Sequence, residues 1–295
     1  MMQTLRSPLG RVTKWWFDPM PRGRVAALRT FVYVFVLADV FIVRPWVSIH
    51  GQLPEELYEP LFIARFLPFP APTPLVVAVL QGALVVATLL ALTGRWPRVS
   101  GAAVFLLYLA WMLTAFSYGK VDHDNVAFLV ALAVLPTVGK ARWGDRHADE
   151  ASGWAIRCIQ VAVVMTYFAS VASKVRFGGL NWVTGSTFLR AVLKRGTSLS
   201  EPLAAYPLAL KAGQVALVAF ELLSPLLLVR GRIGRLMLVV ALAFHVITFL
   251  GIRIMFWPHV VCLLSFLPLE RLNPRVLVRA RLSGPGSQEA VTPID

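Results

Sequence analysis

An all-α, polytopic membrane bundle of about eight transmembrane helices is the fold class this chain predicts. Charged residues fill 15% of its 295 positions, against about 25% in ordinary soluble domains. Hydrophobic residues supply 57%, and they come in long continuous runs without the dyad alternation of a membrane barrel. Hydrocarbon about 30 Å thick takes roughly 20 apolar helical residues to cross, and lipid requires every backbone amide to be bonded inside its own helix or a closed barrel.

The runs lie at residues 26–43, 75–92, 99–118, 125–138, 155–175, 208–229, 236–251 and 254–267. The first begins beyond Arg22 and Arg24 and stops short of Arg44. The second ends before Arg95 and Arg98, and the third runs into the polar turn around Asp122. The fourth, closing on Lys140, and the eighth, closing on Arg271, are the short ones, so tilt, partial re-entry or extension by interfacial residues is expected of them. The fifth ends at Lys174 and Arg176, the sixth at Arg230, and the seventh starts beyond Arg232 and Arg235.

Lys and Arg that flank spans are retained on the cytoplasmic side. An even number of spans puts both termini on one side, together with Arg22 and Arg24, Arg95 and Arg98, Lys140, Arg142 and Arg146, Arg230, Arg232 and Arg235, and Arg271 and Arg275. The first loop on the opposite side holds Glu55, Glu56 and Glu59. Losing one span would scramble this alternation, so the termini are predicted cytoplasmic and the protein a multi-pass protein of the cell membrane.

The organisation read from these features is a basic interfacial segment, 1–24, anchored by Trp15, Trp16 and Phe17, then a transmembrane domain, 25–270, and a cytoplasmic tail, 271–295. A Ser-Gly-Pro-Gly-Ser stretch near residue 285 marks the tail as disordered. No cleavable signal peptide is expected, because the basic N-terminal residues lead into a long helix without a small-residue cleavage site. The net charge of +14 is dispersed over every second loop and matches no nucleic-acid motif, so topology and attraction to anionic lipid account for it and nucleic acid is not expected as a partner. Cys158 and Cys262 both fall within spans and give neither a disulfide framework nor metal-ligand spacing.

Ionisable groups inside spans are costly and are candidates for function. Given the orientation, Asp39, the turn with Lys120, Asp122, His123 and Asp124, then Lys174, Arg176, His245, Arg253 and His259 all fall toward the outer leaflet. Glu221 is the exception, near the middle of the sixth span. Each has a bland reading beside the functional one. Asp124 or Asn125 is a natural cap for the fourth span. Lys174 and Arg176 can snorkel to headgroups. Asp39 can pair with Arg44 one turn later, His245 can be a core histidine bonded across helices, and His259 can satisfy a carbonyl freed by Pro258. An ionised Glu221 alone in hydrocarbon would be very costly, so it needs a hydrogen-bond partner across the bundle or a proton of its own.

Lys174 has further context. Tyr167, Ser170, Val171 and Lys174 share one helical stripe, and Ala169, Ser170, Ala172 and Ser173 are small enough to admit close helix neighbours. Neighbours that dehydrate the amine favour its neutral, basic form.

Tyr167 and Phe168 ahead of Lys174, then Trp182 and Gly185, resemble a known pattern. So do the turn Asp122-His123-Asp124-Asn125 before a span ending in Pro136, and Phe244-His245 followed by Phe256 and Pro268. Together they resemble the HTTM family, the transmembrane domain shared with vitamin K-dependent gamma-carboxylase, over roughly residues 17–272. The resemblance implies that Lys174 stands where the family's base deprotonates a reduced, vitamin K-like quinone. His123 would be the assisting histidine and His245 part of the Phe-His pair, with Tyr167, Trp182, Asp39 and Glu221 in support. An enzyme of this kind would be carboxylase- or oxygenase-like.

Two departures bear on that transfer. Ser173 stands where the carboxylase has a second lysine, and the large lumenal portion that captures the carboxylase's substrate is not present after the eighth span. Bacterial members include proteins acting in peptide-toxin production, so the alternative reading is a non-enzymatic accessory protein for maturation, export or tolerance of a peptide. Transport along Asp39, Glu221 and His245 is a third reading, which the lack of a discontinuous-helix pair counts against. A DoxX-like four-helix protein is the other family considered, and the span count exceeds it.

Overall fold

Long apolar helices interspersed with short ones make up the computed structural model, which describes residues 8–66, 71–119 and 121–272. Lys120 and the tail beyond residue 272 therefore lie outside the described residues. The helices are α1 (Pro8–Trp16), α2 (Arg22–Ala38), α3 (Pro74–Leu92), α4 (Pro97–Phe116), α5 (Asn125–Val134), α6 (Glu150–Gly178), α7 (Asn181–Thr184), α8 (Thr187–Arg195), α9 (Pro207–Leu223), α10 (Arg232–Ile252) and α11 (Trp257–Leu263). A π-helical turn, Asp39–Val43, continues α2.

Among the described residues six helices are long and apolar enough to cross a membrane: Arg22–Val43, Pro74–Leu92, Pro97–Phe116, Glu150–Gly178, Pro207–Leu228 and Arg232–Ile252. The two segments expected to be short are so, forming the apolar helices Asn125–Val138 and Trp257–Phe266. The long helices overrun the apolar windows because their first turns are polar or capped and carry no hydropathy signal. Thr73 accepts from the Val76 amide at 3.3 Å to start α3, and Asp149 accepts from the Ser152 amide at 2.7 Å to start α6.

The centre is formed by α2, α4, α5 and α6, around Trp111, Tyr108, Phe128, Leu132 and Ile159. In α2 and α6 61% of the apolar window is buried, against 17% in α10. Val239, Val246 and Ile247 of α10 are instead exposed, an apolar face that the rest of the bundle leaves uncovered.

At one end, β1 (Met20–Pro21) pairs antiparallel with β2 (Ala148–Asp149), tying the start of α2 to the start of α6. Gly153 is required there, since a Cβ would lie 2.0 Å from the Asp18 carbonyl oxygen. Arg24 donates to Glu270 at 2.8 and 2.9 Å, which brings the last described residues to the end where α2 begins. Buried Arg29 donates to the Gly139 carbonyl at 2.6 Å and to that of Leu135, closing the orphan carbonyls after α5. At the other end, residues 44–66 fold into 3-10 turns. There α7 and α8 are pinned to α9 by Gln214, which donates to the Val183 carbonyl at 2.6 Å and accepts from the Phe188 amide at 2.9 Å.

Candidate functional site

The stripe on α6 faces α9, α10 and α11 near the end that carries α7 and α8. Lys174 Nζ donates to Glu221 Oε1 at 2.6 Å, to Oε2 at 2.7 Å and to Ser170 Oγ at 2.6 Å. Ser170 Oγ in turn donates to Glu221 Oε1 at 3.0 Å. The Trp182 ring stands 5.0 Å from the amine, within cation–π range. Glu221, which depth along the sequence set apart from the outer group, is thus the direct partner of Lys174. The last turns of α6 thus lie level with the last turns of α9.

One turn earlier on α6, Tyr167 Oη and His245 Nε2 share a hydrogen bond at 3.0 Å. The tautomer in which Tyr167 donates keeps the proton on Nδ1 of His245, and that atom has no partner. His259 stands edge-on to the Tyr167 ring at 4.6 Å and 5.5 Å from the His245 ring. It is 2% exposed, and neither ring nitrogen has a hydrogen-bond partner. His123 packs near Phe256 at 6.2 Å. His123, Asp124, Tyr167, Ser170, Glu221, His245 and His259 line one cavity of about 30 Å³, room for a water molecule.

Of the residues singled out in the sequence, Lys174 directly contacts Glu221 and Trp182, while Tyr167 and its partner His245 line the same cavity as Glu221. His123 reaches the same cavity from the turn before α5. Asp39 lies apart: it accepts from Arg44 Nη1 at 2.8 Å through both oxygens and from Tyr108 Oη at 2.9 Å. Asp124 stands at the N-cap position of α5, as expected, but its side chain makes no hydrogen bond to the helix amides. Its carboxylate accepts from the Asn125 side chain at 3.2 Å instead. Burial pushes the Asp124 carboxyl up to about 6 against the pull of Arg44, and Asp122 adds to the rise.

Sequence reasoning left His259 as a carbonyl partner, and its place beside Tyr167 and His245 was not legible. Ser170 carried a signal, because it precedes Lys174 by four residues on the same face. Among the described residues no group of three or more His, Cys, Asp or Glu is arranged to hold a metal ion.

A quinol ring is several times larger than the cavity, so it does not fit inside it. What stands open is the flank of Lys174, whose side chain is 15% exposed, next to exposed Phe177 and Leu180. No protein-family model matches the chain, and neither a curated protein nor a solved structure matches it.

Proposed function

We propose that the chain is a multi-pass membrane protein of the HTTM type, with cytoplasmic termini, that uses its Lys174 and Glu221 pair as a general base toward a lipophilic substrate of the quinol class. Six long apolar helices support the membrane placement, and the basic residues gathered on every second loop support the orientation. The observation that carries the chemistry is the Lys174 amine held at 2.6 Å from Glu221 in a largely buried setting. A lysine so placed can pass a proton to the carboxylate along an existing hydrogen bond. The neutral amine then takes the hydroxyl proton of a substrate arriving laterally past Phe177 and Leu180, leaving an oxyanion beside the new ammonium. Electrons stay with the substrate oxygen, and the net event is one proton moved from substrate to the pair.

A specific feature favours a second reading, the accessory protein. The three donors of Lys174 are matched by three acceptor contacts, as in a staple between α6 and α9. Lys174→Arg separates the two, because guanidinium keeps the ion pair and cannot act as a base. The test places the protein in proteoliposomes containing reduced menaquinone under air and measures quinol and its products in the lipid extract. Wild type is expected to convert the quinol, and Lys174→Arg to lose about 100-fold or more in rate while unfolding at the wild-type temperature. Equal turnover by the Arg variant would leave the staple as the role of Lys174. A wild type inert toward quinol removes that substrate class.

A further inference from the structure

The end of the bundle where β1 pairs with β2 holds a second polar site, independent of Lys174. Arg157 on α6 is 5% exposed. Its Nη1 donates to Gln160 Oε1 at 2.8 Å and its guanidinium lies 4.4 Å over the Trp15 ring. Its Nε has no hydrogen-bond partner, and among the described residues no carboxylate forms an ion pair with it, Asp18 attracting it only from across the cavity. A buried guanidinium without an anion is expensive, and a tryptophan face offsets only a part of that cost.

Arg157 lines a cavity of about 360 Å³ together with Arg24, Arg230, Arg235 and the one lining carboxylate, Asp18. Arg230 is paired with Asp18 and Arg24 with Glu270. Among the described residues Arg157 and Arg235 are therefore left without an ion pair, and Arg235 donates to the Gly231 carbonyl at 3.3 Å. Gly231, at φ +93°, and Gly234 also line the cavity and open α10. No side chain caps that helix, so the amides of its first turn and the positive end of its dipole are available to an anion.

Next to this basic cavity runs an apolar groove of about 670 Å³ beneath α1, formed by Val12, Trp15, Trp16, Val161 and Leu228. Leu228 lines both spaces. We infer that this end binds an anionic phospholipid, its phosphate between Arg157, Arg235 and the start of α10, and an acyl chain in the groove under α1. The phosphate supplies the charge that Arg157 lacks, and the groove distinguishes a lipid from a free anion. The basic residues gathered at this end agree with a site on the anionic leaflet.

The test uses the full chain in detergent and follows its unfolding temperature during titration with short-chain phosphatidylglycerol, phosphatidylcholine or inorganic phosphate. Phosphatidylglycerol is expected to raise the midpoint saturably. Arg157→Gln and Arg235→Gln are each expected to weaken that response about tenfold, while Arg190→Gln, on exposed α8, behaves as wild type. Arg235 is exposed, so its variant carries the test if Arg157→Gln fails to fold. Inorganic phosphate reproducing the whole shift would assign the site to a free anion and overturn the lipid. Equal shifts with phosphatidylcholine, or equal shifts in wild type and the two variants, would overturn the site itself.

Discussion

An Asp with Arg pair lies buried in the N-terminal half of the bundle and a Glu with Lys pair in the C-terminal half, and their surroundings differ. Asp39 and Arg44 are five residues apart on one continuous element, wrapped by Tyr108 and Met112. Lys174 and Glu221 are 47 residues apart and join two helices. The aspartate is 0% exposed, whereas the lysine is 15% exposed and adjoins a cavity with unpartnered histidine nitrogens. The first pair is closed on every side and can only hold the fold. The second is open on one flank, and the proposed lipophilic substrate would reach it there. Charge alone does not mark a site; a buried charge with a free approach does.

The largest effect should come from breaking the closed pair. Asp39→Ala leaves Arg44 charged in the interior and is expected to cost about 3–5 kcal/mol, seen as a lower unfolding temperature in detergent. Turnover per folded molecule should stay at the wild-type level. Glu221→Gln sharpens the contrast from the other side. It keeps an acceptor oxygen for Lys174 and removes the proton acceptor, so menaquinol turnover should fall about 100-fold. The stability loss should be smaller than for Asp39→Ala, because Lys174 can turn toward its open flank. If both substitutions act on stability alone, the two pairs are equivalent and the open one has no chemical role.

The smallest effect concerns the turn between the two regions. Asp124 has its carboxyl raised from 3.8 to about 6 by burial. The folded state therefore holds this proton more tightly than the unfolded chain between about pH 4 and 6, and stability falls as pH rises through that window. Lowering the pH from 7 to 5 should stabilise the protein by about 1 kcal/mol through this group. Asp124→Asn should abolish that part of the pH dependence, as read from unfolding midpoints across the range. An unchanged pH profile in the variant would detach Asp124 from the linkage.

Much of the fold was legible because long apolar helices show in local composition. The eight apolar windows fall on the six long helices and the two short ones, and the misjudged ends are where polar caps such as Thr73 and Asp149 extend a helix beyond its apolar run. The loops were less legible. The stretch between the fifth and sixth apolar runs carries no hydropathy signal, yet Gln214 holds α7 and α8 there by hydrogen bonds to their backbone. In the site, Tyr167, Ser170 and Lys174 were set on one stripe by helical spacing. Their partners could not be read the same way.

By itself the sequence determined that the chain is helical and apolar, where its apolar helices lie, and that α6 carries a tyrosine, a serine and a lysine in line. Hydropathy and the 3.6-residue period are properties of short windows, so no folding is needed to see them. Only the tertiary structure decided that Lys174 meets Glu221, that His245 meets Tyr167, that Asp39 is closed off by Tyr108, and that Arg157 sits under Trp15 without a carboxylate. Those pairings join residues 47 or more positions apart, and helix packing, not sequence spacing, sets which of them come within reach of one another.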